Sequence, residues 1–492
     1  MSSSSQRPAI AGAGQITQRF EDPREAASPL ELMEQALRGA AQDAGAPKLL
    51  ECLDAIYVPH GLWRYGDPGA LLAERVGASG ARTALGAISG HIVQILINRA
   101  CSAIAEGRAD VIAIVGGESE HSRRRLTRQN LELPWSDDQP GEPDLRYGKW
   151  ERGLFPHELA AGIGDAVSCF SLCETALRAF LGETPSAHRR RISELQARMS
   201  EVAASHPQAW IRKAVSAEEI REPGPANRMV GYPYTKLMTS NIAVDQAAAL
   251  ILCSAAAAER FGIAPDRRVY LRASTEMGHS TSLSERGVLH CHPGQEIAAA
   301  RVLELAGAAA SDLEAIDLYS CFPFAVQSGA RALGLGLDPV PSLTGGMTFG
   351  GGPFGNYVLQ ATATLVERLR TSPGSLGLIG SVGGYFAHFG YGLYSSDPGD
   401  RNEPAIEDVG AEFARLPRRP YLAEFDGSAR VEAYTVAVDA TNEARACLTA
   451  LTDRGERVWG RSEDPELTRA LLADEEACGR EARIRDGLLE LV

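Results

Sequence analysis

The chain has 492 residues, 44% of them apolar and 23% charged, the balance of an ordinary globular protein long enough for a large core. That composition excludes collagen, coiled coil and wholesale disorder. With 49 basic against 63 acidic residues the net charge is −14, so neither nucleic acid nor an anionic membrane is an expected partner, and an anionic ligand would need a local basic patch.

The first eight residues (MSSSSQRP) lack the apolar stretch of a secretion signal, and no apolar run is long enough to span a membrane. Residues 8–18 (PAIAGAGQITQ) predict a buried strand. Residues 28–44 predict a helix: Ser28 suits the N-cap, Pro29 the first helical position, and Glu31 completes a capping box, with Leu30, Met33, Ala36 and Leu37 on one face. LDAIYVPHG (53–61) is a second strand, and strand–helix–strand with short links predicts a parallel α/β sheet. From 84 to 117, ALGAISG leads into a helical pattern and then a continuous apolar strand ending in Gly-Gly. The same order recurs from 350 to 384: GGGPFG, a helix, SLGLIGSVGG. This repetition predicts an internally duplicated α/β core.

Between the halves, 119–235 is rich in Arg, Glu and Pro, with helical patterns near 164–181 and 190–205, and reads as a loop domain inserted over the sheet. Residues 236–262 return to the core as a strand and short helix. The organisation expected is a first half of 7–118 plus 236–262, the insert 119–235, and a second half of 263–398. A polar link, 397–419, leads to 420–492, where short alternating strands and one helix predict a small, separate β-barrel that supplies no catalytic group.

The strongest local feature is LTGGMTFGGGPFGNY (343–357), with six glycines within 345–355. A single turn does not need six, and glycine lets backbone approach a ligand closely. Gly350-x-Gly352-x-x-Gly355 also fits a dinucleotide fingerprint, but Pro353 sits inside it and no clear strand precedes it, so that reading is rejected. Tyr232-x-x-x-Lys236 likewise lacks a nucleotide loop. GSVGGYFAHFG (380–390) is a second Gly-rich turn. It places His388 after a core strand, where α/β sites form. Cys321 sits in DLYSCFPFAV among apolar neighbours that favour the neutral thiol. His290 and His292 share one face of an extended segment, but no further ligand cluster follows, so no metal is expected. Cys169 and Cys173 fit one helix face and read as packing. None of the nine cysteines forms a CxxC pair, which reads as reduced thiols in a cytoplasmic protein. The basic clusters Arg123–Arg125 and Arg189–Arg191 are the local patches a phosphorylated ligand would need.

ACSAIAEGRADVIAIVGGESEHS (100–122) resembles the thiolase segment in which a helix leads to a strand ending in Gly-Gly-x-Glu-Ser. NRMVGYPYTKLMTSNIAVDQAAALILCS, DLYSCFPFAV and GGMTFGGGPFGNY resemble the acetyl-CoA acetyltransferase branch, and within it thiolase-like protein type 1. The resemblance covers residues 7–492. It implies an α/β fold of duplicated αβαβα layers with an inserted loop domain and a small, OB-like C-terminal barrel. It also implies a CoA thioester as substrate or ligand, no separate cofactor, a place in lipid metabolism, and the option of a homodimer.

The departures from the family pattern are as telling. The nucleophilic Cys position falls on Ser89 or Gly90. The Gly-His-Pro motif reads Gly351-Gly352-Pro353, the Cys-x-Gly turn reads Ser381-Val382-Gly383, and Asn-Glu-Ala-Phe reads Tyr319-Ser320-Cys321-Phe322. Thiolysis through a cysteinyl acyl-enzyme is therefore not expected. The catalytic candidates are His388, Cys321, Tyr319, Ser89 and His91. The substrate-binding candidates are Gly351, Gly352, Pro353, Asn356, Gly383, Gly384, Arg123 and Arg228. Three functions fit: acyl transfer from CoA thioesters with rearranged groups, a retro-aldol carbon–carbon lyase using Tyr319, Tyr357 and Tyr385, or a CoA-ester binding protein without chemistry.

Overall fold

The structure, a computed structural model, describes residues 4–136, 138–149, 153–439 and 441–492. Its first sheet is built from β1 (Pro8–Thr17), β2 (Ala55–Pro59), β3 (Arg82–Gly86), β4 (Val111–Ser119) and β5 (Leu145–Tyr147). After a short hairpin, β6 (Met229–Gly231) and β7 (Tyr234–Thr235), the chain returns as β8 (Asp245–Ser254). The order is β1-β8-β4-β2-β3-β5. The second sheet uses β9 (Tyr270–Met277), β10 (Leu313–Asp317), β11 (Leu376–Gly383), β12 (His388–Ser395) and β13 (Ala405–Asp408), in the order β10-β11-β12-β9-β13.

The sheets are mixed, not parallel as the strand–helix–strand pattern predicts. β2 is parallel to β3 and β4, but β8 is antiparallel to both β1 and β4. β8 arrives through the long insert, so no short right-handed crossover dictates its direction. In the second half the tight turn Gly384–Ala387 folds β12 back antiparallel on β11. The duplication is visible in the pairing: β1-β8-β4-β2 repeats as β9-β12-β11-β10 with the same relative directions.

Between the sheets lie two helices, Ile92–Ala105 and Tyr357–Arg370, which touch each other. The first meets β1 and β8 on one side and β9 and β12 on the other. Its residues are buried from Ile92 to Ala105 except Arg99 and Ser102, as a helix sealed between two layers requires. Helix Pro29–Asp43 covers the outer face of the first sheet, and Pro293–Ala306 that of the second, giving five layers. Ser28 caps the former with the reciprocal Glu31 bond; losing such a cap costs about 1 kcal/mol. A buried polar seam joins the halves. Arg99 grips Glu276 at 3.0 and 2.8 Å, Asn98 donates to the same carboxylate at 2.7 Å, and Gln94 reaches Ser274 at 3.2 Å.

The C-terminal strands β14 (Gly427–Val438), β15 (Ala444–Leu451), β16 (Arg457–Ser462), β17 (Glu481–Arg485) and β18 (Leu488–Leu491) close into a five-stranded barrel, β14-β15-β16-β18-β17 and back to β14. The barrel is not free-standing as expected. The β6–β7 hairpin of the insert extends its sheet through β14, and insert helix Ala166–Phe180 packs on β14. Insert strand β5 also pairs with β3, covering that edge of the first sheet. Among the described residues no helix is long and apolar enough to cross a membrane.

Candidate active site

A cavity of about 290 Å³ opens where the strand ends of both halves meet. Its walls come from three loops and the insert. The loop after β3 brings Ile88, Ser89 and Gly90. The loop after β10 brings Tyr319, Cys321 and Phe322, and the turn after β11 brings Gly383–Phe386 and then His388. The insert adds Lys149, Ala166 and Phe170, and the Gly-rich loop contributes Phe354 and Gly355.

Ser89 and His91 precede the first central helix. Ser89 Oγ lies 2.6 Å from His91 Nδ1. Burial, then the neighbouring His388, pushes the His91 imidazole down to about 3, so it is neutral at physiological pH. The His91 and His388 rings sit 5.0 Å apart, and His388 Nε2 lies 2.6 Å from Ser280 Oγ. Gly383 is pressed onto this group: a Cβ there would fall 2.0 Å from Ser89 Oγ and 2.6 Å from His91 Nδ1. Gly90 is similarly closed, with Tyr319 Oη 2.2 Å from its Cβ direction. Burial drives the Cys321 thiol and the Tyr319 phenol well above their usual ranges. Both are therefore held protonated.

The cavity is also where the backbone is strained. Phe354, Tyr385 and Phe386 have φ of 48°, 53° and 63°. Among the described residues the other positive-φ side chains are Asn or Asp, which tolerate that region; bulky aromatics do not, and such outliers gather at functional sites. Phe386 is fixed by edge-to-face contacts with Phe170, Phe324 and Phe389.

Of the catalytic candidates, Ser89, Tyr319, Cys321 and His388 line the cavity, and His91 stands behind Ser89. Gly383 and Gly384 line it too. Gly351, Gly352, Pro353 and Asn356 lie behind the lining. A Cβ on Gly351 would strike Gln246 Oε1 at 2.0 Å and one on Gly352 Ser240 Oγ at 2.3 Å, so these glycines serve close packing. Asn356 is buried beside Gly355, and neither side-chain polar atom has a partner among the described residues.

Arg123 and Arg228 are away from the cavity. Arg123 lies 3.7 Å from Glu120 on its own helix, and Arg228 donates to the carbonyls of Met229 and Val438, tying insert to barrel. Arg125 reaches the Phe20 and Glu21 carbonyls, Arg189 Asp474, and Arg191 Glu183. Among the described residues, the cation on the lining is Lys149. Tyr357 is committed elsewhere, donating to the buried Asp317 at 2.7 Å, while Tyr385 is on the lining. His290 stacks on Phe180 and His292 caps helix Pro293–Ala306, so the two do not converge. Sequence reading missed Phe170, Lys149 and Ser280, which come from distant segments with no local motif.

The fold is shared with solved structures. Human mitochondrial 3-ketoacyl-CoA thiolase, in its complex with CoA, is 18% identical with 80% of this chain and 99% of that one covered, at a TM-score of 0.55. An Ltp2–ChsH2(DUF35) aldolase is 17% identical over 79% and 98%, at a TM-score of 0.58. The fold is that of solved thiolases. Barrel included, the chain is similar to the monomeric SCP2-thiolase like protein type 1 from Mycobacterium smegmatis, 28% identical with 100% of both chains covered and a TM-score of 0.83. No protein-family model and no curated protein matches the sequence.

Proposed function

We propose that the protein binds acyl-CoA thioesters and transfers their acyl group through Ser89. The acyl end enters the aromatic cavity, and the CoA moiety leaves by the side where Lys149 offers a charge to its phosphates. Ser89 Oγ attacks the thioester carbonyl carbon while His91 Nδ1 takes its proton; the C–S bond breaks, and the departing CoA sulfur is protonated from the imidazole. The acyl group is then an ester on Ser89, ready for an acceptor. His388, across the same space, suits proton transfer to or from that acceptor. Cys321 is not the nucleophile, because an apolar pocket holds its sulfur as the thiol.

The observation carrying this reading is the 2.6 Å Ser89–His91 contact at the cavity wall, beneath a glycine that leaves room for nothing larger. The likeness to thiolases, one solved with CoA, supports the choice of thioester. Free CoA release from acetyl-CoA, followed by thiol titration, should be seen with the native protein and lost with Ser89→Ala. Binding of CoA without release by either protein would leave a CoA-ester binding protein. Carbon–carbon cleavage remains a second reading because Tyr319 and Tyr385 share the lining; release that survives Ser89→Ala but not Tyr319→Phe would favour it.

A further inference from the structure

The barrel contributes no lining residue among those described, yet the segment Ser280–Arg286 bridges it to the cavity. On the cavity side, Ser280 Oγ holds His388 Nε2 at 2.6 Å, and Arg286 Nη2 donates to the Tyr385 carbonyl at 3.1 Å within the left-handed turn. Arg286 also lies over the Phe386 ring, 5.9 Å from its centroid. On the barrel side, Arg457 is fully buried. Its Nη1 donates to the carbonyls of Leu283, Ser284 and Arg286 at 2.6, 3.2 and 2.5 Å. Nε and Nη2 meet the Glu432 carboxylate, both at 2.7 Å. Trp459 Nε1 donates to Ser284 Oγ at 2.9 Å, and that hydroxyl also bonds Glu158 at 2.7 Å.

A buried guanidinium making a bidentate ion pair and three carbonyl bonds is far more than barrel closure needs. Its donors fix the backbone of Leu283, Ser284 and Arg286 itself, three to six residues beyond Ser280. We propose that the C-terminal barrel sets the geometry of the candidate active site, with Arg457 and Trp459 as positioning residues that act through Ser280–Arg286 on His388 and on the Tyr385–Phe386 wall. The proposal rests on the reading above only in taking this cavity as the site; it holds whichever chemistry occurs there.

The test uses the full chain and the imidazole ¹H–¹⁵N spectrum, with His388→Ala assigning one of the ten histidines. Ser280→Ala should move the His388 Nε2 resonance toward the unbonded position. Trp459→Phe and Arg457→Met, both at the barrel end of the bridge, should each move it the same way, while His206, bonded to Thr364, stays in place. Arg469→Ala on the barrel surface should change neither. CoA titrated calorimetrically should bind the two barrel variants about tenfold more weakly, one positioning interaction's worth. An unmoved His388 signal in folded Trp459→Phe, the milder change, overturns the proposal even if Arg457→Met does not fold. A protein that binds no CoA refutes the functional reading and leaves the spectral comparison to decide this one.

Discussion

The two halves repeat a backbone but not a chemistry. Each runs from a Gly-containing turn into a buried central helix and then a strand ending in Gly-Gly. At the first helix start stand Ser89, Gly90 and His91, a hydroxyl in contact with a neutral imidazole. At the second stand Phe354, Gly355 and Asn356, an aromatic wall and a buried amide with no partner among the described residues. The duplicated layers hold both segments beside one cavity; in the proposed reaction the first supplies the nucleophile and base while the second shapes the space. A buried unpaired amide costs about 1–3 kcal/mol.

Substitution at matching places should expose that asymmetry. Ser89→Ala and His91→Ala should each lower CoA release from acetyl-CoA by about 10²–10⁴-fold, the usual contribution of a positioned acid–base group. Asn356→Ala, behind the lining, should leave the rate within about tenfold. Equal losses at both helix starts would erase the distinction.

Gly383→Ala comes next. Its Cβ would collide with Ser89 Oγ and His91 Nδ1, so CoA release should fall close to the Ser89→Ala level. Overpacking should cost about 1–3 kcal/mol in denaturant unfolding. Gly374→Ala, in a surface turn at φ 82° with nothing within 4 Å, should lose about 1 kcal/mol from strain and no activity.

Acid should weaken the first half's helix start selectively. The His91 pKa is lowered to about 3 in the folded protein against 6.5 for the free side chain. The unfolded chain therefore binds a proton that the fold refuses. Stability is complete above about 6.5 and falls as pH drops toward 3, by about 2–3 kcal/mol at pH 4.5. His292, also driven down by burial, adds to the same limb. His91→Gln should flatten part of the fall in Tm between pH 7 and 4.5. A parallel curve would mean that His91 is not held neutral.

The smallest effect belongs to the wall. Phe354→Asn relieves a bulky residue at φ 48° and should raise stability by about 1 kcal/mol or less while weakening CoA binding. A clear loss of stability would show that the ring's packing outweighs the backbone strain.

Local features of the fold were legible in the sequence. The Ser28–Glu31 capping box, the continuous apolar strand Val111–Ser119 and the alternating barrel strands depend on neighbours within a few residues. The antiparallel return of β8 was not, because its partners are chosen across the 119–235 insert. The same limit applied at the cavity. Ser89 and His91 stand two apart and His388 follows a Gly-Gly strand end, so local pattern could nominate them. Ser280 reaches His388 from 108 positions away, and Lys149 and Phe170 come from an insert whose composition says only that it is polar. The arginines of that insert drew attention through their clustering, yet carboxylates and carbonyls hold Arg189, Arg191 and Arg228. The docking of the barrel through Arg457 likewise had no signal, since a lone arginine in a strand looks solvent-facing until its partners are known.

The central claim is that the first helix start carries the acyl acceptor. Its most direct measurement is acid quenching of the protein with acetyl-CoA, followed by peptide mass mapping. The account predicts an acetyl ester on Ser89 that is absent in Ser89→Ala and sharply reduced in His91→Ala. An acetyl group on Cys321, or none anywhere while CoA is released, would contradict it.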